Sequence, residues 1–336
     1  MSYPKLERRI SKEVRDWYEI AISGQLVRKN FMQALLGMSY INGDKGVPIN
    51  FKKAKEWFEL AVKDDSLLSS DLPEMLWAYG QAYCGLYTVN KMRKKFDKRV
   101  LIGFLFKAQK SEIPQTYLNL GLEMIAGKLV RKDSSGAIDM IIKALEAEKK
   151  DKSFSLAHDW VREESEKRTP EALFILGANQ VQQGKKEGIN LLKQSASNGI
   201  VKAMHYLGNC YRDGVCVDPD INEAIKWYES GSFEDDVLCQ SCLGLLFDEG
   251  KLVDQDIELA IRYYEKAAKN NEVNSMLLLY SCIREIARGD LNTLQIAEYS
   301  EKATKWLTKA ARLGNEIAIE KSEKLDSLAK SQLNLS

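Results

Sequence analysis

Cys239 and Cys242 are the two residues of this sequence whose types and spacing most readily suggest chemistry. A Cys-x-x-Cys pair can ligate zinc through its thiolates, or it can cycle between a dithiol and a disulfide. Cys210 and Cys216, together with His205, lie close enough in the sequence to complete such a site. The sequence therefore leaves open a metal-dependent or redox sensor or enzyme that uses Cys239 and Cys242.

The rest of the sequence offers little for catalysis. His158 and His205 are its two histidines, and neither has a nucleophile or a second base at a recognisable spacing. Gly43-x-x-Gly46 does not have the pattern of a glycine-rich phosphate loop after a strand. Cysteine is also a common small residue of protein cores. We therefore expect packed, reduced thiols, no metal, no cofactor and no enzymatic activity.

A basic stretch lies in the first third of the chain. Its cationic residues are Lys91, Arg93, Lys94, Lys95, Lys98 and Arg99. Such a stretch could bind the phosphates of a nucleic acid or an acidic protein surface, or it could be a solvated loop. Phe96 is the one aromatic residue among them, and the whole chain has a net charge of only +1. We therefore favour a solvated loop or an acidic protein partner over nucleic acid.

The composition is that of a globular chain with enough apolar residues for a sizeable core. The 336 residues are 45% hydrophobic and 29% charged. Residues 1–168 contain 30 basic and 23 acidic side chains, whereas residues 169–336 contain 19 and 25, so the two halves carry opposite net charge. Because neither a run of 18 apolar residues nor an apolar leader is present, we expect a cytoplasmic protein without a membrane span.

One pattern recurs along the chain and organises it. It reads Leu-Gly-x-x-(Tyr, Phe or Met)-x-x-Gly, followed by Asp or Asn, then Ala and, in most copies, an aromatic pair. Recognisable copies begin at Leu36, Leu120, Leu207 and Leu243. With degenerate copies included, the anchor positions lie 31 to 56 residues apart and are Gly37, Gly80, Gly121, Gly177, Gly208, Gly244 and Tyr280. Such periods are typical of stacked repeat architectures.

Each part of the pattern has a structural reason in a pair of helices. Ala203, Leu207 and Tyr211 recur every fourth residue and form one apolar stripe on a first helix. Because glycine destabilises a helix interior relative to alanine, the glycine in this helix predicts that a neighbouring backbone passes close to it. The later glycine caps this helix, and the Asp or Asn caps the second helix, which turns its alanines and its aromatic pair inward. One pair cannot bury both stripes, so neighbouring pairs must stack.

The pattern resembles the signature of the Sel-like repeat family, whose members are α/α solenoids related to tetratricopeptide repeats. The resemblance implies an all-α fold, a right-handed superhelical α/α solenoid of about seven helix pairs. The expected organisation is a capping helix at 1–30, repeats at 31–315 with a degenerate copy near 74–110 and an inserted helix near 148–169, and a capping helix at 316–336.

The resemblance also implies a function. Solenoids of this kind usually hold partner proteins or peptides on their concave face, so we expect a non-enzymatic interaction scaffold or adaptor. In a bacterial setting, such a chain could serve as an immunity or regulatory protein that sequesters another protein.

Helical phase predicts where a partner would bind. With about 100° between successive residues, the positions one and five after each anchor point away from the buried stripe of the first helix. The first row includes Met38, Gln81, Leu122, Asn209 and Leu245, and the second row ends in the carboxylates Asp213, Glu249 and Glu285. We expect a groove that is apolar toward the first repeats and acidic near the C-terminal end, suited to an amphipathic or extended protein segment with Lys or Arg at one end. Alternatively, these rows pack against the adjacent first helices.

Overall fold

Helices are the regular secondary structure of the chain wherever its structure, a computed structural model, describes it. The described residues are 4, 10–23, 26–63, 73–92, 97–109, 111–150, 155–287 and 293–333. Within them there are seventeen α-helices and no β-strand. The chain divides into two compact units, unit 1 at Met1–Ile175 and unit 2 at Leu176–Ser336. None of the described helices is both long enough and apolar enough to cross a membrane.

Nine helices begin in unit 1 and eight in unit 2. The first nine are α1 (Lys12–Ser23), α2 (Leu26–Asn42), α3 (Phe51–Ala61), α4 (Pro73–Lys91), α5 (Lys98–Gln109), α6 (Pro114–Ala126), α7 (Ser134–Lys150), α8 (Leu156–Glu166) and α9 (Pro170–Gln182). The others are α10 (Glu187–Ser197), α11 (Val201–Asp213), α12 (Ile221–Phe233), α13 (Val237–Glu249), α14 (Ile257–Lys269), α15 (Val273–Ile286), α16 (Thr293–Arg312) and α17 (Glu316–Leu333).

Consecutive helices pack in pairs, which confirms the all-α repeat fold predicted from the sequence. In the described residues the pairs are α2/α3, α4/α5, α6/α7, α9/α10, α11/α12, α13/α14 and α15/α16. Three helices stand outside this pairing: α1 packs on α2, α8 packs on α6 and α7, and α17 packs on α16. The seven pairs agree with the number of anchors in the sequence.

Side chains and glycines cap the helices of the repeat where the pattern predicts them. The Asn50 side chain accepts a hydrogen bond from the Lys53 backbone N–H at 3.1 Å, and the Asp256 side chain accepts one from the Leu259 N–H at 2.8 Å. Each closes the first turn of a second helix. Gly214, which follows α11, has a φ of 71°, a left-handed conformation in which side chains are strained. These contacts confirm the predicted C-terminus of the first helix and the predicted N-terminus of the second helix.

The glycine inside a first helix marks the place where the second helix presses an aromatic ring against it. A Cβ added at Gly244 would lie 2.6 Å from the Tyr264 ring, and one added at Gly208 would overlap the Tyr228 ring. Both tyrosines are fully buried. The predicted close approach is confirmed, and the nearest neighbour at these two positions is an aromatic ring. A flat ring fills the space between the paired helices, where close packing leaves no room for a Cβ.

The aromatic pairs of the second helices are not equally buried. In α3, Trp57 and Phe58 are both fully enclosed. In α12 and α14 the second aromatic of each pair is buried, whereas the first, Trp227 or Tyr263, is only half-buried. Tyr263 stacks on Phe247, with ring centroids 6.1 Å apart and planes inclined by 8°. The inward orientation predicted for both members of a pair therefore holds in α3 but only for the second member in these two helices.

Candidate interaction surface

The first helices of three successive pairs in unit 2, α11, α13 and α15, lie side by side. The Cys242 Sγ lies 3.7 Å from the His205 Nε2 between α11 and α13. The Ser241 and Ser275 hydroxyls are hydrogen bonded at 2.8 Å between α13 and α15. Equivalent positions therefore align in rows across the three helices. We use the name first-helix face for the rows formed by Asn209, Leu245, Ser281, Asp213, Glu249 and Glu285.

The row one position after each anchor is partly open in unit 2. Leu245 is 40% exposed, and Ser281 is also exposed. Asn209 is half-buried, and its side-chain oxygen accepts a hydrogen bond from the Tyr228 hydroxyl at 2.7 Å. Asn209 therefore helps to hold the ring that lies over the neighbouring glycine, and Leu245 is the apolar residue that this row presents to solvent.

The same row in unit 1 is more enclosed. Met38 and Leu122 are half-buried, and Gln81 is only 2% exposed. The burial of Gln81 agrees with the alternative in which these rows pack against adjacent first helices, because α4 packs against α2 and α3 as well as against its own partner α5. None of these three side chains, all within the described residues, forms the open apolar groove expected toward the first repeats.

The row five positions after each anchor carries exposed carboxylates, but their charges are partly compensated. Asp213, Glu249 and Glu285 are all exposed. Arg212 donates hydrogen bonds to both carboxylate oxygens of Asp213, at 2.7 and 2.8 Å, and thereby holds the pKa of that carboxyl below its usual value. The Lys251 ammonium lies 3.2 Å from the Glu249 carboxylate. The row predicted as an acidic strip is therefore a row of mixed charge.

Two arginines lie directly before carboxylates of this row, and helical phase does not predict them as part of the surface. Arg212 pairs with Asp213, and the Arg284 guanidinium, one residue before Glu285, donates to the Tyr280 hydroxyl at 2.9 Å. Neighbouring helix positions differ by about 100°, so a side chain as long as arginine can reach the adjacent row. The sequence contains this signal, an Arg-acid dipeptide at the same place in two repeats.

Cys239 and Cys242 lie one turn apart on α13 but have different surroundings. Cys239 is fully buried next to Gly231 of α12, whereas Cys242 is half-buried beside His205. Burial raises the pKa of both thiols and lowers the pKa of His205, so the Cys242–His205 contact joins neutral groups at neutral pH. Within the part of the chain that the structure describes, no group of three or more His, Cys, Asp and Glu side chains could hold a metal ion.

The described members of the basic stretch are all exposed, but they differ in their contacts. The Lys91 ammonium binds the buried Glu123 carboxylate of α6 and donates to the Tyr87 hydroxyl at 2.8 Å. Lys91 is itself exposed, and its ammonium pairs with a carboxylate of the same chain. Lys98 and Arg99 are exposed at the start of α5. The remaining members lie outside the described residues and are Arg93, Lys94 and Lys95.

Several segments of this chain are similar to a known family of repeats. The Sel1 repeat model matches residues 31–66, 201–232, 239–272 and 300–315. The first three segments cover most of α2/α3, α11/α12 and α13/α14, and the fourth includes the end of α16. The copy that begins at Leu120 lies outside the matched segments. Among curated proteins there was no significant match.

Two solved structures are similar to this chain. One is a protective antigen present in uropathogenic Escherichia coli strains and displays an SLR fold; it is 18% identical, with a TM-score of 0.41 over 93% of this chain and 67% of the antigen. The other is a Sel1 repeat protein from Oxalobacter formigenes, 22% identical, with a TM-score of 0.41 over 93% of this chain and 80% of that protein. The four family matches agree with the resemblance predicted from the sequence, and these four segments of the chain are therefore similar to Sel1 repeats.

Proposed function

We propose that this protein is a non-enzymatic scaffold that binds a partner protein or peptide on the first-helix face of unit 2. Sel1 repeats generally mediate interactions between proteins. The observation that carries the proposal is Leu245, an exposed apolar side chain in the middle of three aligned first helices, with exposed carboxylates in the adjacent row. An apolar contact surrounded by polar groups is the usual arrangement at a protein-binding hot spot.

The charges around Leu245 favour a partner with Lys or Arg at one end of its bound segment. Glu249 forms an exposed ion pair with Lys251, and the contacts of such a pair stabilise a protein by only about 0–1 kcal/mol. A cation from the partner can therefore replace them at low cost. An amphipathic or extended segment would place an apolar side chain on Leu245 and its basic end on the carboxylates. Such a scaffold could act as an adaptor, or as an immunity or regulatory protein that sequesters its partner.

Charge reversal of the carboxylate row tests this proposal. Partners cross-linked to the wild-type protein in its native lysate should be lost from the test variant, while its thermal unfolding stays unchanged. The test variant replaces Asp213, Glu249 and Glu285 with lysine. The control variant replaces three other exposed carboxylates of unit 2 with lysine, Asp218, Glu234 and Asp254, and should retain the partners.

Two results would contradict the scaffold. The first is a test variant that keeps every partner at the wild-type yield. The second is stoichiometric zinc in the purified protein that is lost on Cys239→Ser, because it would assign the region to a metal site.

A further inference from the structure

Gly103, in the middle of α5, has no structural reason within the described part of the chain. A Cβ added there would meet no atom within 4 Å, and its φ is not in the left-handed region. Each other described glycine has either a positive φ or an atom closer than 3.4 Å to an added Cβ. Because glycine destabilises the interior of a helix relative to alanine, an open Gly103 weakens α5 without improving its packing.

Apolar side chains flank Gly103 on the outer side of α5. The inner side of the helix is filled by Leu101 and Leu105, which are fully enclosed. Val100, three residues before the glycine, is 47% exposed, and Phe106, three residues after it, is 55% exposed. The outer side is thus a notch at Gly103 between two exposed apolar side chains. We use the name Gly103 face for Arg99, Val100, Gly103 and Phe106.

The charges around the Gly103 face are basic. Lys98 and Arg99 are exposed in the first turn of α5, and Arg99 lies one turn before Gly103. The neighbouring carboxylate, Asp97, accepts a hydrogen bond from the Arg99 backbone N–H at 2.8 Å and so serves as a cap. Lys107, on the same side of the helix, is exposed and donates to the Tyr83 hydroxyl at 3.3 Å. Acidic groups on a partner would complement this rim.

We propose that the Gly103 face binds an acidic amphipathic helix of a partner protein. A glycine lets the backbone of a second helix approach closely. A bound helix would therefore account for the glycine at position 103, which no contact within the described chain requires. Val100 and Phe106, each three residues from Gly103, match the helical spacing of apolar anchors on an incoming helix. Lys98 and Arg99 select glutamate or aspartate beside those anchors. This site lies in unit 1 and takes a ligand opposite in charge to the one proposed for the first-helix face.

A designed peptide tests the site directly. The probe is a fluorescein-labelled helical peptide of about 18 residues, with leucine at every third or fourth position and glutamate beside the leucines. Its twin carries lysine in place of each glutamate. We expect fluorescence anisotropy to show the acidic peptide binding wild-type protein at least about tenfold more tightly than its twin, with an affinity that falls as salt rises.

Variants then locate the binding. Gly103→Leu, which fills the notch, and Phe106→Glu, which removes an anchor and repels the peptide, should each weaken binding by at least about tenfold. Phe233→Glu is the matched control, since Phe233 is 86% exposed on α12 and should bind the peptide as wild type does. Circular dichroism and thermal unfolding should show each variant folded. The lysine substitutions of the first-helix face should leave peptide binding unchanged, which separates this site from the proposed scaffold site.

Three outcomes would overturn the proposal. In the first, the acidic peptide does not bind, or binds no better than its lysine twin. In the second, Phe106→Glu and Phe233→Glu have the same effect. In the third, sedimentation shows that the wild-type protein dimerises and that Phe106→Glu abolishes the dimer, which would assign the Gly103 face to a second copy of this chain.

Discussion

Individual glycines in these helices have two different consequences for stability. Gly208 and Gly244 each lie under a buried tyrosine ring, whereas Gly103 faces open space. The sequence predicts the close approach at Gly208, because a glycine recurs there in a helical pattern. It does not predict the ring, since the position of a side chain on the second helix depends on how the two helices cross. It also does not distinguish Gly103, which lies outside the recurring pattern.

Alanine substitutions at two of these glycines should change stability in opposite directions. At Gly208 the added methyl group collides with the fully buried Tyr228, which should cost about 1–3 kcal/mol of unfolding free energy. At Gly103 the methyl group meets nothing and improves helix propensity, which should stabilise the protein by about 0.5–1 kcal/mol. Urea unfolding monitored by circular dichroism measures both. Shifts of the same sign would mean that the surroundings of one glycine are different in solution.

At the scale of whole helices, α8 is held by a carboxylate from the preceding helix. Glu148 of α7 is buried and accepts hydrogen bonds from the Ala157 N–H at 2.7 Å and the His158 N–H at 3.2 Å. The His158 Nδ1 lies 2.6 Å from the same carboxylate. Ser155, the residue that precedes α8, makes no capping hydrogen bond with its side chain. A side chain nine residues before Ala157 thus closes the first turn of α8.

Removal of this remote cap should destabilise the protein more than removal of the local serine. Glu148→Ala leaves two backbone N–H groups of α8 without their acceptor and should cost about 1–3 kcal/mol. Ser155→Ala is the control and should cost less than about 0.5 kcal/mol, because its hydroxyl only contacts the exposed Asp159. Denaturant unfolding measures both, and hydrogen exchange at Ala157 and His158 should accelerate in Glu148→Ala alone. A larger loss from Ser155→Ala would contradict this account.

The surroundings of α4 include contacts with other helices that the periodicity of α4 does not predict. Helical phase places Gln81 opposite the buried stripe, yet the side chain is enclosed because α2 and α3 also pack on α4. Similarly, Lys91 belongs to a basic stretch in the sequence, yet its ammonium binds Glu123 on α6. Periodicity describes one side of one helix, and neither contact follows from it. In unit 2 the helical phase also places Leu245 opposite the buried stripe, and there the side chain is exposed.

At the scale of the whole molecule, both units contain clusters of buried apolar side chains. One cluster of unit 1 includes Tyr40 and Trp57, and one of unit 2 includes Tyr264, Leu279 and Leu307. The spacing of the anchors predicts the number of helix pairs, because each pair needs a neighbour to bury its second stripe. It does not predict the division after Ile175. A repeat pattern describes contacts between successive elements and contains no signal for where a compact unit ends.

The six free cysteines lie in both units, and the reactivity of their thiols depends on how each unit is packed. Cys84, Cys210, Cys239 and Cys282 are buried, whereas Cys216 and Cys242 are half-buried. Burial raises the pKa of Cys84 to about 12 and that of Cys210 to about 11, so few of these thiols ionise near neutral pH.

Titration with Ellman's reagent at mildly alkaline pH should therefore show two classes of thiol. In native protein, at most the two half-buried cysteines should react readily, and all six should react in denaturant. The double variant Cys216→Ser/Cys242→Ser should lack the early reaction and keep four thiols that react only after unfolding. Rapid reaction of three or more thiols in the native wild-type protein would show that one of the cores is open in solution.

The contact between a repeat glycine and an aromatic ring, as at Gly208 and Tyr228, couples the effects of mutations at two positions that are distant in the sequence. A larger residue at Gly208 would displace Tyr228, and a smaller residue at Tyr228 would leave a void above Gly208. Drift at either position alone passes through a less stable protein, so the two can change freely only as a matched pair. In the copy around Gly121 the ring has been replaced by Ile141, and that side chain still lies against the glycine. The glycine of the repeat is therefore found even in a copy whose facing side chain is not aromatic.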